Sequence, residues 1–444
     1  MVTVTDHRER YLLAFAQAEP VLMERGPGWL HGLRREAIAH FKEIGFPDRR
    51  VEEWRFTNIR PIVEQTFVPA EKAPRPISQD LFQLHAYAEH CHLITFINGF
   101  YSPELSDLGD LPENIIVQSL SEAWQERESL LEPHIARKGS FENNPFAALN
   151  TAFMQDGVFI HLPKDTVVEK PIHILYFSAT AGEPGISYPR NLIVAGSSSR
   201  ATVIESYVGQ PDQIYFTNAF TEVVAGDSSN LQHVRLQRES LNAYHISSTQ
   251  LYHESQAHFA THNINLGGSI VRHDINSYLD GEFIESTLNG LYMLDGIQHV
   301  DNHTVIYHNQ PNCNSHELYK GVLNNRSRGV FRGRIYVAPH AQKTDSKQSN
   351  NVLLLSDQAE ITSMPQLEIY ADDVKCTHGA TTGEIDENAL FYLRSRGIPY
   401  DEAKGLMIYA FASEIVDQIP LEFIQDQLHK DLFNQLPMLG LEKE

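Results

Sequence analysis

Three shortages narrow the possibilities: few cysteines, few basic residues for the length, and no long apolar run. Cys91, Cys313 and Cys376 are the three cysteines in 444 residues, and they lie far apart. That excludes a disulfide framework and fits a reducing, cytosolic setting. The 35 Lys and Arg are outnumbered by 57 Asp and Glu, for a formal net charge of −22. A nucleic-acid partner needs a basic footprint, and an anionic lipid surface would repel this chain. No segment approaches the roughly 18 apolar residues of a membrane helix. The opening MVTVTDHRERYLLAF lacks the basic-then-apolar order of a secretory signal.

Several motifs are missing as well. No GxxxxGK[ST] loop occurs, no GxGxxG follows a strand, and GSSSR at Gly196 fails the last position of a nucleophile elbow. The chain is therefore expected to bind no nucleotide itself and to carry no hydrolase triad. HESQAH at His253 has one residue too many for a zincin motif and lies in strand-like sequence, where helical i, i+4 geometry is not available.

What is present divides into three parts, as the length leads one to expect of two or three structural units. Residues 1–156 read as mostly helical. Asp6 is placed to cap a helix through Leu12, Leu13 and Phe15, and Leu30, Leu33, Ala37, Phe41 and Ile44 form one apolar stripe that Gly45 and Pro47 end. Trp54 and Phe56 read as a packed aromatic joint. Pro69, Pro74 and Pro76 mark a loop, LITFING a strand, and residues 119–155 further helix.

From Gly157 the texture changes to short β-branched and aromatic runs: GVFIHL, PIHILYF, NLIVAG, ATVIESYV, LQHVRLQ and RIYV. In PIHILYF, Ile172, Ile174 and Tyr176 share a face. Turn signals such as Gly226-Asp227, Gly267-Gly268 and Asp280-Gly281 separate the runs. Residues 157–378 thus form a β-unit, open between sandwich, barrel, propeller and solenoid. AGSSSRATV and AGDSSNLQHV echo each other as stacked coils would, without a clean period. The polar stretch Pro339 to Asn351 reads as a solvated loop or a subunit contact. Residues 379–444 return to helix. Asp386 is placed to cap the first one, Gly397 to end it, and a second runs from Asp401 to about Ile419. A third starts at Pro420 with Leu421, Ile424, Leu428, Leu432 and Leu436 on one stripe.

Ten of the 22 histidines lie between His233 and His316, and ordinary hydrogen-bonded imidazoles are the expected reading. Cys91, in an apolar run, reads as an inert buried thiol. Cys376 and His378 differ. Two residues apart in a strand, they point the same way. Thiolate and imidazole together suit zinc, iron or an iron–sulfur species. Two ligands do not close a four-coordinate site, so the remainder would come from a second chain or from the bound species.

GVFRGRIYVAPHAQKTDSKQSNNVLLLS, then MPQLEIYADDVKCTHGATTGEIDENALFYLRSRGI, resembles the signature of the SufB/SufD family of iron–sulfur cluster assembly proteins. DNHTVIYHNQPNCNSHELYKGVL is similar to the same family, and FKEIGFPDRRVEEWRFTNI resembles its SufD branch. The resemblance implies a mainly β fold, a right-handed parallel β-helix flanked by N-terminal and C-terminal helical regions. It implies a non-catalytic scaffold that pairs with SufB, binds the SufC ATPase through its C-terminal helices, and helps build and release a transient cluster. It also implies that His378, preceded by Cys376, is a ligand shared with a SufB cysteine. The alternatives are a β-helical carbohydrate-active enzyme using carboxylates such as Asp274, Asp280 and Asp295, and a metal-free homodimeric structural protein.

Overall fold

The computed structural model describes residues 7–70, 72, 77, 79–136, 141–180 and 182–435. The Asp6 cap, Pro74, Pro76 and Leu436 lie outside the described residues.

The β-unit is a parallel solenoid of about eight coils. Its strands lie in two sheets, of eleven and ten strands among the described residues, and from strand Arg190–Ala195 onward each pairs in register with the one two places later in the chain. A parallel in-register ladder stacks equivalent side chains in columns. One set of alternate residues therefore fills the lumen and the other faces out. Ile172, Ile174 and Tyr176 share the lumen with Ile193, Val223, Leu251 and Leu288.

One corner of the coil recurs with a left-handed residue: Ser198, Ser228, Gln256, Phe283, Asn312 and Lys343 all have φ between 56° and 62°. Non-glycine residues resist this conformation. Hydrogen bonds to the next coil offset the strain: Ser198 N donates to Asp227 O at 2.8 Å, Ser228 N to Ser255 O at 2.9 Å and Lys343 N to Asp373 O at 2.7 Å. The two echoed AGxSS segments are two successive corners of this kind.

Helices cover two outer faces and leave the far end alone. The N-terminal helices His7–Glu24 and Gly28–Ile44, with Pro145–Phe153, bury Tyr11, Phe15, Phe41 and Phe146 against Phe216, Phe220 and Ile246 of the larger sheet. Leu13 of the first helix is 65% exposed, outside the expected stripe. The C-terminal helices Tyr400–Val416 and Glu422–Gln435 lay Ile408, Ala412, Ile415 and Leu428 on Ile264, Leu291 and Val322 of the other sheet. The last of these helices begins at Glu422, so Pro420 precedes its first turn instead of occupying it. Trp54 is buried, as a packed joint should be, with the Arg272 guanidinium 3.8 Å from its ring centroid, while Phe56 is 41% exposed.

Two sequence expectations are corrected. The stretch Pro339 to Asn351 is no solvated loop, since from Asp345 it is strand Asp345–Leu354. Ser346, Gln348 and Asn350 are its buried lumen residues, polar where a strand usually shows apolar alternation. Nor does sheet end at Gly379, because strand Lys375–Gly383 carries Cys376 and His378 and continues past Gly379.

Candidate functional site

Strand Lys375–Gly383 closes the smaller sheet and strand Glu360–Ile369 the larger one. Each pairs with the preceding coil on one side only. Among the described residues no further coil covers their outward edges, which present backbone groups as a template for another chain. The chain leaves this end through helix Glu387–Ser395, which Asp386 caps by accepting from Asn388 N at 2.9 Å, and then turns back along the solenoid.

Register fixes where the two candidate ligands stand. Cys376 pairs with Ser346 and His378 with Gln348. Both partners are buried lumen residues, so the thiol and the imidazole sit on the lumen face at its open mouth. The shared face expected from period 2 is therefore present. Cys376 is half-buried against Ile335, Val337, Ala338 and Ala371, and His378 is exposed. Burial, together with the nearby Asp345 carboxylate, raises the Cys376 thiol above its ordinary range, with a hydrogen bond to the Ser346 backbone acting the other way. A protonated thiol is a poor ligand, so a metal binding here must displace the proton. Among the described residues no three His, Cys, Asp or Glu side chains gather in a metal-binding group. The donor set is soft sulfur plus imidazole, open to solvent and incomplete. It fits a species whose remaining ligands come from elsewhere.

The coil beneath was missed by sequence reasoning. Under Cys376, Ser346 and Ser315 share a hydrogen bond of 2.7 Å, and His308 Nε2 lies 2.9 Å from Ser315 Oγ. Under His378, Gln348 Nε2 donates to Glu317 Oε2 at 2.6 Å. Burial pushes the Glu317 carboxyl up to about 7. The alternation Ser346, Gln348, Asn350 was the available signal, hidden because the outward residues of that strand are polar too.

The other cysteines are sealed. Burial raises the Cys91 thiol to about 12, and Cys313 Sγ donates to Gly281 O at 3.2 Å. The histidines between His233 and His316 include hydrogen-bonded lumen residues: His233 lies 2.9 Å from Thr261 Oγ1, His253 2.9 Å from Ser277 Oγ, and His245 2.7 Å from Glu239 Oε2. Burial lowers His253, His262 and His308 to about 4, which keeps them neutral. His253 and His258 fall on different strands, so HESQAH forms no helical metal motif. His299 and His303 share a strand, where the first contacts Thr57 Oγ1 at 2.9 Å and the second Asp274 Oδ1 at 3.1 Å.

The carboxylates an acid–base enzyme would use are engaged structurally. Asp274 is buried and accepts from Arg272 at 2.7 Å. Burial opposes its charge, but Arg272 and His303 hold it down to about 2. Asp280 accepts from Asn309 at 2.7 Å, and Asp295 from Asn324 at 3.0 Å.

Comparison with known proteins agrees with this architecture. Residues 177–411 match the family described as SUF system FeS cluster assembly, SufBD core domain, and residues 5–174 match the SufBD protein N-terminal region. An iron–sulfur cluster assembly SufBD family protein of Synechocystis is 34% identical, covering 89% of each chain. The iron–sulfur cluster assembly protein SufD of Escherichia coli is 31% identical over 90% of this chain and 93% of its own. SufD of Bacillus subtilis is 27% identical over 95% of this chain and 96% of its own. With both of its parts matched and these relatives aligned along nearly their whole length, the chain belongs to the SufBD family of SUF iron–sulfur cluster assembly proteins, as a homologue of SufD.

Proposed function

We propose that this chain is a non-catalytic scaffold subunit that joins a SufB-type partner through the edges of its last coil and offers His378, with Cys376 beside it, to an iron–sulfur cluster under construction. One observation carries the reading: the thiol and imidazole stand at the mouth of a coil that, among the described residues, has no cap and two open strand edges. The cluster is cargo, and a site built for cargo should hold it with few, shared ligands, since a closed four-thiolate cage would retain it. A partner thiolate across the edge completes what the present donor set leaves unfinished. In the absence of SufB, a second copy of this chain would take the same edge.

On this reading residues 1–156 brace the solenoid, 157–378 carry the ligands, and 379–444 grip the SufC ATPase. Helix Glu387–Ser395 exposes Phe391 by 72% and Tyr392 by 55%, aromatic anchors of the kind interfaces use. An ATPase pulling on that helix acts next to the strand that bears the ligands, and so can open the joint. The assembly is placed in the cytosol. No helix of the described residues is long and apolar enough to cross a membrane.

The test is co-purification with SufB and SufC, followed by anaerobic reconstitution with iron and sulfide, read by absorbance. His378→Ala should abolish the cluster bands while leaving the complex assembled. Full cluster content in that variant would overturn the ligand role. Failure of the wild-type chain to co-purify would favour the metal-free structural protein.

A further inference from the structure

We propose that Gln348 is a positioning residue for His378: its carboxamide oxygen accepts one imidazole N–H and leaves the other ring nitrogen free to meet a metal. The proposal rests on His378 as a ligand, and four observations lead to it. Gln348 is the register partner of His378, directly below it on the lumen face. The carboxamide is polarised in one sense, because Nε2 donates to Glu317 Oε2 at 2.6 Å and Oε1 is therefore the end left over. That Oε1 is buried and has no hydrogen-bond partner, in a residue only 1% exposed. Finally, the amide is held from across the lumen. A Cβ on Gly333 would lie 2.2 Å from Gln348 Nε2 and 3.0 Å from Oε1, so the amide fills the space a side chain there would need.

An orphaned buried acceptor is unfavourable, a standing preference for any donor that reaches it. Above it stands an exposed imidazole with two free torsions, to which no group among the described residues donates or accepts. A neutral imidazole is a donor at one nitrogen and an acceptor at the other. Committing the N–H to Gln348 selects the tautomer and aims the remaining lone pair, the usual second partner of a ligating histidine. Glu317 and Gly333 act one step further back, by fixing the amide.

The experiment uses the full chain labelled with ¹⁵N-histidine. Long-range ¹H–¹⁵N correlation gives the His378 tautomer, assigned by the signal lost in His378→Gln, and Co²⁺ titration gives metal affinity. In the wild type His378 should occupy one tautomer. Gln348→Met, close in shape but without the acceptor, should return a mixture and weaken Co²⁺ binding by roughly ten-fold, the low end for a lost second partner. Gln348→Glu, which keeps an acceptor oxygen, should hold the single tautomer. A mixed tautomer in the wild type overturns the proposal without any variant, as does an unchanged tautomer in Gln348→Met. The ligand reading fails separately: Co²⁺ affinity unaltered by His378→Ala would sink it, while a tautomer lost in Gln348→Met would still uphold the hydrogen bond.

Discussion

The first coils and the last coil share one backbone plan and differ in everything packed around it. Strand Tyr215–Ala225, near the start, is buried along its whole length between the lumen core and the N-terminal helices. Strand Lys375–Gly383, at the end, is exposed at all but Cys376. The early outer face carries Phe216 and Phe220 under helices, while the last coil carries His378 on its lumen face beside open edges. A solenoid stabilises each coil through its neighbours, so a terminal coil is the least stable unless something caps it. At the start, strands His92–Ile97 and Ile116–Ser119 and the surrounding helices do so. At the far end nothing among the described residues does. Stability is concentrated where the chain covers itself, and the proposed chemistry stands where it does not.

The sharpest way to break that contrast is at the covered end. Arg190 is fully buried, 2.5 Å from Glu222, with Phe220's ring centroid 3.9 Å from its guanidinium. Arg190→Ala removes the guanidinium from a buried carboxylate, which keeps neutral donors such as the Ala136 N–H at 3.0 Å, and should destabilise by roughly 3–5 kcal/mol. Urea unfolding checks this. A loss below about 1 kcal/mol, the level of an exposed pair, would show that the early coils are not the stable half.

The next effect is a pH dependence set in the interior. His173, His253 and His308 are buried and lowered to about 4. Their folded pKa lies below the unfolded value, so the unfolded chain binds more protons between roughly pH 6.5 and 4, and stability falls on acidification. Each contributes up to about 1.4 kcal/mol per pH unit within that window. Urea midpoints at pH 7.5, 6 and 5 should decline steadily, and His308→Asn should reduce the slope by about one proton. A slope that His308→Asn leaves unchanged would mean that this imidazole is not held neutral by the fold.

How much of this the residues announce depends on how far hydrophobic contrast reaches. The strands after Gly157 are legible because apolar lumen residues such as Ile172 and Ile174 alternate with others. The closed solenoid is not, because the corner residues Ser198, Ser228, Gln256, Phe283, Asn312 and Lys343 are unevenly spaced and chemically unlike. What they share is a backbone angle, and no sequence motif encodes it. Cys376 and His378 are legible as a pair from spacing alone. Gln348, Glu317 and Ser346 are not, since a strand polar on both faces looks like a loop until register places one face inside. The edges of the last coil are the least legible feature, because exposure there reflects chain that is missing from the next rung and not a residue type.

A smaller change in stability is expected at the open end itself. His378→Ala touches an exposed side chain and should move the unfolding free energy by no more than about 0.5 kcal/mol, as surface changes do. Cluster assembly by the complex should nonetheless fail. A variant that both unfolds early and loses assembly would make His378 a structural residue and dissolve the contrast between the two ends.

The smallest stability effect belongs to helix Glu387–Ser395, and it separates the two open surfaces from each other. Phe391 and Tyr392 are the exposed aromatics there, with the Arg396 guanidinium 4.6 Å from the Tyr392 ring centroid. Leu390 is the one fully buried residue of this helix, with Ala389 and Leu393 half-buried, so its packing is thin. Phe391→Ser removes no internal packing, and unfolding should shift by less than about 0.5 kcal/mol. If this face grips the ATPase, the same change should weaken capture of SufC by roughly ten-fold or more, the scale of an aromatic hot spot. Capture of SufB, assigned to the strand edges, should be unaffected. The opposite pattern, SufB lost and SufC retained, would exchange the two assignments. Full retention of both partners by Phe391→Ser and Tyr392→Ser would remove this helix from the interface and move the ATPase contact to the exposed residues of Tyr400–Val416.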